Sequence, residues 1–209
     1  MNDMETKTPD PDTALTAPPP GKHESSRLKY LVEEGYLSLE TTSFDFEEIP
    51  TEAFEEAQEA VAESATSSPL HADLKAVATW YLEQGEETEI SYEQQYPQSA
   101  RVADVSSVPI GHYVEVGYVE DISRVHQTLG IDVVMRGSSV SSVLRRHPWS
   151  DIPTERGGVR AVLSIPFPVH HPSKRAWDLD RLKVHTYTLG STPVTTPNRR
   201  HTWWGEEDR

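Results

Sequence analysis

Apolar and polar residues alternate between positions 101 and 119 in a way that predicts two paired β-strands. The first strand covers residues 101–105 (RVADV) and is apolar after its opening arginine except for Asp104. The second covers residues 112–119 (HYVEVGYV). Its residues divide between two faces, with Val114 and Val116 on one and Tyr113, Glu115 and Gly117 on the other. Residues 106–111 include two serines, a proline and a glycine, which predicts a turn.

An acidic residue lies inside each of these apolar strands, Asp104 in the first and Glu115 in the second. Burying a carboxylate is costly unless a metal, a cation or water meets it. Two explanations stay open at this point: a functional site that uses both acids, or a face of the sheet that is open to solvent. The pair requires an explanation more than either acid does alone.

Helical periodicity predicts three helices before these strands, over residues 24–40, 51–64 and 69–84. The third is the best specified, because Ser68 can cap it and Pro69 suits its first turn. The apolar residues that form its buried face are Leu70, Leu74, Val77, Tyr81 and Leu82.

Further strands alternate with helices along the rest of the chain, which indicates an α/β or α+β domain. A polar stretch at 137–158 is interpreted as an insertion. The remaining predicted elements are strands at 87–92, 131–135 and 159–167, an edge strand at 183–189 and a helix at 121–129.

The chain divides into four predicted parts: a disordered tail at 1–21, an acidic helical extension at 22–66, an α/β domain at 67–190 and a C-terminal tail at 191–209. The first part contains five prolines and almost no large apolar residue, so it cannot offset its ordering entropy. It is a plain flexible extension or a proline-rich ligand for aromatic-lined grooves. The helical extension is interpreted as an oligomerisation or docking arm.

Composition narrows the class of protein. The 209 residues include no cysteine, which excludes disulfides and thiolate metal sites. No run approaches the roughly 18 apolar residues of a membrane span, and the acidic start lacks the apolar core of a secretory signal. We therefore expect a cytoplasmic protein with no membrane partner.

The net charge of −15 is unevenly distributed along the chain. Residues 136–209 hold 12 basic and 7 acidic residues and are the only net positive third. We expect any DNA contact to lie there. Only six of the 19 basic residues are lysines, a composition that resembles proteins of salt-loving archaea. The arginines predicted to contact DNA phosphates are Arg145, Arg146, Arg199 and Arg200.

The order of elements over residues 67–167 is helix, strand, strand with Asp, strand with Glu, helix, strand. With the stretches SSPLHADLKAVATWYL, EISYE, RVADV and YVEVG, this order resembles the core of the restriction-endonuclease-like (PD-(D/E)XK) superfamily, in its archaeal and phage members. The resemblance implies a central mixed sheet flanked by helices and a function in DNA binding or cleavage. It also implies that Asp104 and Glu115 hold a divalent metal such as Mg²⁺, which activates water and steadies charge on the scissile phosphate.

The sequence departs from the pattern of this superfamily at two positions. The lysine expected two residues after Glu115 is replaced by Gly117, which admits a close backbone or ligand approach or accommodates a bend. The acid of the first core helix falls near the apolar Leu70, with Asp73 as a substitute. A cation displaced from the Gly117 position would come from Lys75 on the same helix or from Arg124 on the next.

Other features have simpler explanations. His170 and His171 are adjacent and point apart in a strand, and the remaining histidines are ordinary surface or partly buried residues. Trp203 and Trp204 in the basic C-terminal tail either stack on bases or pack on their own domain. The rival function is a catalytically inert scaffold that docks a protein partner through residues 24–64.

Overall fold

The computed structural model describes residues 24–64, 66, 68–84, 89–97, 100–117, 125–135, 142–168, 170–171, 176–177 and 181–194. The helices are α1 (Glu24–Glu33), α2 (Thr51–Val61), α3 (Pro69–Glu83) and the single turn α4 (Val125–Thr128). The strands are β1 (Leu37–Phe44), β2 (Ile90–Gln95), β3 (Val102–Ser107), β4 (His112–Gly117), β5 (Ile131–Met135), β6 (Ser142–Arg146), β7 (Ala161–Pro166), β8 (His170–His171), β9 (Ala176–Trp177) and β10 (Leu182–Leu189). Short 3₁₀ turns occupy Phe46–Glu48, Pro148–Asp151 and Thr154–Arg156.

Six of these strands form one sheet in the order β1-β10-β7-β4-β3-β2. Every neighbouring pair is antiparallel except β4 and β7, which are parallel. A parallel pair requires a long crossover, and the connection between these two strands includes α4, β5 and β6. The predicted α/β class, with a mixed sheet flanked by helices, is confirmed.

The two faces of the sheet support separate clusters of buried side chains. On one face, Val114 of β4 and Leu163 of β7 pack with apolar residues of α3. On the other face, Val162 packs with residues of α1 and of the β5–β6 ribbon. Because neighbouring residues of β4 and β7 join opposite clusters, the alternation predicted for β4 is confirmed.

Helix α3 forms for the reasons that the sequence indicates. The Ser68 hydroxyl accepts a hydrogen bond from the backbone N–H of His71 at 3.2 Å, and Pro69 occupies the first turn. Leu70, Leu74, Val77 and Leu82 are buried as predicted. Helix α2 packs against α3 through Ala57, Val61 and Ala76.

The helix predicted over residues 24–40 is wrong in its second half, because residues 37–44 form a strand. Helix α1 ends at Glu33, Gly35 follows in a left-handed turn with φ of 74°, and residues 37–44 form β1. All eight residues of β1 pair with β10. The sequence pattern did not predict a strand here, because an edge strand exposed on both faces shows no alternation of apolar and polar residues.

Three other predicted elements differ from the structure. Strand β10 was expected at an edge but lies between β1 and β7, because β1 covers its outer side. The strand predicted at 87–92 runs instead from Ile90 to Gln95. The polar stretch at 137–158 contains β6 and two 3₁₀ turns, so part of it is ordered structure rather than an irregular insertion.

Several predictions lie outside the described residues, including the N-terminal tail at 1–21, Arg124, and the C-terminal Arg199, Arg200, Trp203 and Trp204. Among the helices that the structure describes, none combines the length and apolar character needed to span a membrane.

Candidate functional site

Asp104 and Glu115 lie on the neighbouring strands β3 and β4, each one residue beyond the Val105–Val114 pair. Beyond this pair, a side-chain contact replaces the regular backbone pairing of the two strands. The Asp104 carboxylate accepts a hydrogen bond through Oδ2 from the backbone N–H of Val116 at 2.8 Å. The aspartate is therefore fixed to the strand that carries Glu115.

The other oxygen of Asp104 faces helix α3. His71 Nε2 lies 3.2 Å from Asp104 Oδ1, and both side chains are mostly buried. Burial raises the pKa of Asp104 above its usual range. The hydrogen bond from Val116 and the charges of His71 and Lys75 act in the opposite direction. Asp104 is thus an acid that its cationic neighbours help to keep ionised.

Lys75 lies one turn after His71, so the two side chains project from the same face of α3. The side chain of Lys75 is wholly buried, and its ammonium binds the Glu93 carboxylate of β2. The ring of Tyr92 lies 5.8 Å from the ammonium, and the Tyr92 hydroxyl is hydrogen-bonded to Thr79 at 3.1 Å. Helix α3 therefore carries an imidazole that contacts Asp104 and, one turn later, a buried ammonium that contacts Glu93.

Glu115 has a separate set of contacts. The Tyr96 hydroxyl donates to Glu115 Oε1 at 2.7 Å, and a guanidinium nitrogen of Arg101 lies 3.7 Å from the same oxygen. Burial raises the pKa of Tyr96 well above its usual value, with a further contribution from Glu115. The phenol consequently stays protonated at neutral pH and can donate to the carboxylate.

The donor chemistry of this site suits a hard divalent cation. Mg²⁺ is usually held by one or two carboxylates together with water and substrate phosphates, and Asp104 and Glu115 supply two. Among the described residues, no group of three or more histidine or acidic side chains is arranged to hold a metal ion. Two carboxylates are present here, but Asp104 is directed toward His71 of helix α3, whereas Glu115 is directed toward Tyr96 and Arg101.

Asp73 does not take the place of the missing helix acid. Its Oδ1 accepts a hydrogen bond from Gln58 of α2 at 2.9 Å. Residues two apart on a helix face different sides, so Asp73 faces α2 while His71 and Lys75 face β2 and β3. The residue of α3 that meets Asp104 is His71, next to Leu70.

Gly117 ends β4 where the sheet is closely packed. It pairs with Pro166 of β7, and its carbonyl accepts a hydrogen bond from the backbone N–H of Phe167 at 3.0 Å. The Phe167 ring lies edge-on to His71, with 6.4 Å between the ring centroids. The pairing with Pro166 and the hydrogen bond from Phe167 are backbone contacts that any residue can make at the end of a strand, so both explanations for this glycine stay open.

Of the arginines predicted to bind DNA, the two that the structure describes do not share a sheet with the carboxylates. Arg145 and Arg146 belong to β6, which pairs only with β5 in a two-stranded ribbon. Arg146 donates to Ser150 at 2.8 Å and to Asp151 at 2.7 Å. These two arginines remain predicted phosphate contacts on a separate part of the molecule.

Sequence reasoning missed His71, Glu93 and Tyr96. Their partners lie between 18 and 33 positions away along the chain, so no local pattern joins them. A signal was available for His71, because its spacing of four from Lys75 places both on one helix face. The register between β2 and β3 would have been needed to find Glu93.

No protein-family model matches this chain, and no significant match was found among the curated proteins or the solved structures. Arguments about function therefore rest on the topology and on the side chains around Asp104 and Glu115.

Proposed function

We propose that this protein is a DNA-binding, metal-dependent nuclease of the restriction-endonuclease-like kind, in which the lysine has moved from β4 to α3. The observation that carries the proposal is the position of Lys75. Its side chain is wholly buried, it lies one turn after the His71 that contacts Asp104, and its positive charge acts to lower the pKa of Asp104. A cation beside a phosphate site stabilises the charge that develops during hydrolysis.

The order of elements gives independent support. Helix α3 is followed by β2, β3 and β4 in antiparallel sequence, then by a crossover to β7, which lies parallel to β4. The helix–strand–strand–strand part agrees with the order on which the resemblance rests, while the crossover contains one helical turn and the separate β5–β6 ribbon before β7. The two acids occupy its second and third strands.

Asp104 and Glu115 would hold the metal ion, which when bound supplies Lewis-acid activation of water and of the scissile phosphate. The other residues position these two acids. The Val116 N–H and His71 orient Asp104, while Tyr96 and Arg101 orient Glu115. Because His71 and Arg101 already meet the carboxylates, a cation must compete with them, and we expect metal affinity to be weak.

The test is nicking of supercoiled plasmid and of single-stranded DNA with Mg²⁺ or Mn²⁺, at several salt concentrations and with a chelator control. We expect Asp104→Asn, Glu115→Gln and Lys75→Met each to lower the cleavage rate by about 100-fold or more. Asp73→Asn is the matched control, because Asp73 lies on the same helix but bonds to α2. Its rate should equal that of the wild type.

A rescue variant tests the displacement of the lysine directly. Gly117→Lys should restore cleavage to the Lys75→Met protein if one cation serves both positions, and circular dichroism must show that the double variant is folded. Cleavage that survives in both acid variants would point to a contaminant and contradict the proposal. Absence of both cleavage and DNA binding at every salt concentration would also contradict it.

The rival scaffold function finds no support in the apolar surface of residues 24–64. Leu28, Leu31 and Leu37 are buried in the cluster beneath α1, and Ala57 and Val61 are buried against α3. These apolar residues are used within the chain, whereas Leu39 of β1 is exposed. A protein partner for this segment stays a prediction from sequence.

A further inference from the structure

The contact between Lys75 and Glu93 joins a buried group to a solvent-facing one. The Lys75 side chain is fully enclosed, whereas that of Glu93 is 39% exposed. An ammonium withdrawn from water requires a close counter-charge, because isolated burial of a charge is strongly unfavourable. Glu93 provides this counter-charge from the neighbouring strand.

The backbone at Glu93 is unusual. Its φ is 52°, and among the described residues it is the only non-glycine with a positive φ. Bulky L-residues rarely adopt this left-handed region, and they do so in folded proteins where the surroundings impose it. Glu93 lies in the middle of β2, between residues that pair regularly with β3 on either side.

The irregularity extends to the opposite strand. Ala103 and Val105 are two residues apart and would share a face in a regular strand, yet they pack in clusters on opposite faces of the sheet. Asp104 lies between them, opposite Glu93 in the register of the two strands. The strand pair is therefore distorted where it carries both acids.

We propose that Glu93 is a positioning residue for Lys75: its left-handed backbone carries its carboxylate onto the buried ammonium and holds that ammonium beside Asp104. The proximity of all three groups supports this, because Lys75 and Glu93 both act on the charge of Asp104, in opposite directions. The contact between Lys75 and Glu93 is seen directly in the structure. Its catalytic consequence rests on the proposed nuclease function.

The direct test measures how readily Lys75 is acylated by an amine-specific reagent, with each lysine quantified by mass spectrometry. In the wild type, Lys75 should be protected, while Lys29, with a side chain 75% exposed, reacts readily. Glu93→Gln and Glu93→Ala should raise the acylation rate of Lys75 severalfold, and Glu93→Asp should restore part of the protection. Glu33→Gln, which breaks the exposed Lys29–Glu33 pair, is the matched control and should leave Lys75 protected.

A second test examines the backbone and the charge pair by urea unfolding. Glycine is normally worse than alanine within a strand, but a positive φ reverses this ranking, so Glu93→Gly should unfold at a higher urea concentration than Glu93→Ala. Lys75→Met and Glu93→Gln should lower the midpoint by less in combination than the sum of their separate effects. Unchanged protection of Lys75 in folded Glu93 variants, or additive midpoint shifts, would overturn the inference.

The consequence for catalysis has a distinct readout. If the wild type cleaves DNA, Glu93→Gln should lower kcat by up to about 100-fold through misplacement of Lys75 while KM changes little. Glu93→Asp should recover more activity than Glu93→Gln. A wild type that does not cleave would remove the proposed function but leave the acylation and unfolding tests to decide the role of Glu93.

Discussion

At the residue scale, the chemistry of this protein depends on what helix α3 presents to the sheet. His71 and Lys75 are one turn apart and meet Asp104 and Glu93 on two successive strands. Ser68 fixes the start of the helix and so sets the height of both side chains above the sheet. The site is therefore made by the docking of one capped helix onto three strands.

His112 provides a pH-dependence that can be measured away from this site. It is half-buried at the start of β4, and burial, followed by the charge of Arg160, lowers its pKa below 6.5. As the pH falls through 6.5, the unfolded chain binds a proton that the folded chain does not, so stability is lost until the folded pKa is passed. We expect wild type to lose stability relative to His112→Gln over this interval.

The measurement is urea unfolding of both proteins at pH 8, 7, 6 and 5, with the difference in unfolding free energy followed against pH. The difference removes the titration of all other groups that the two proteins share. A difference that moves in favour of the wild type as the pH falls would contradict the lowered pKa.

The sequence identified Lys75 of helix α3 as a candidate site residue but did not identify His71. Lys75 was identified because a lysine was expected at position 117, where this chain has glycine, and a cation was therefore sought on the neighbouring helices. His71 was treated as ordinary because its contact with Asp104 joins residues 33 positions apart, although its spacing from Lys75 was a usable signal. The positive φ of Glu93 was equally invisible, since glutamate carries no preference for that conformation.

At the scale of elements, the main difference from expectation is the place of β10. This strand is flanked by β1 and β7, and Leu182 and Val184 contribute to the cluster beneath α3. Strand β1 supplies the true edge, with Leu39 exposed to solvent. Interior and edge strands differ in how much apolar area each side chain removes from water.

Two matched leucine substitutions test this arrangement. Leu182→Ala in β10, where the side chain is 2% exposed, should lower the free energy of unfolding by about 2–5 kcal/mol through lost burial and a residual cavity. Leu39→Ala in β1, where the side chain is 40% exposed, should change it by less than about 0.5 kcal/mol. Equal effects in urea unfolding would show that β10 is not interior.

The elements that could be predicted are those whose burial is set by near neighbours. Strand β4 alternates because its two faces meet different clusters, and α3 carries its own cap and apolar stripe. Strand β1 could not be predicted in this way, because only its end residues Leu37 and Phe44 are buried. Its identity as a strand comes from pairing with a segment at the other end of the chain.

At the scale of the whole molecule, the net charge of −15 sets how the protein responds to salt. Self-repulsion destabilises a compact acidic chain, and salt screens it over a Debye length that shortens from about 10 Å at 0.1 M to about 3 Å at 1 M. DNA binding through Arg145 and Arg146 would weaken over the same range, because counterions released from DNA oppose it. Stability and affinity should therefore respond to salt in opposite directions.

We expect the thermal midpoint to rise from 0.1 to 2 M KCl while the DNA dissociation constant increases. Charge reversal of Arg145 and Arg146 should flatten the dependence of binding on salt, and the added negative charge should steepen that of the midpoint. Chloride and sulfate compared at equal ionic strength separate screening from exclusion of the salt by the protein surface. A midpoint that does not change with KCl would contradict the role of self-repulsion.

The pairing of β1 with β10 also determines when the sheet can be completed in a cell. Leu37 pairs with Leu189, 152 positions later in the chain, so the first of the described strands to be synthesised cannot pair until the last of them is made. At a synthesis rate of about 5–20 residues per second, that interval lasts roughly 10–30 s. Throughout it, β1 is an unpaired strand beside a nascent sheet. An edge rich in serine and threonine, with Glu40 near its centre, keeps that waiting strand hydrated until its neighbour is made.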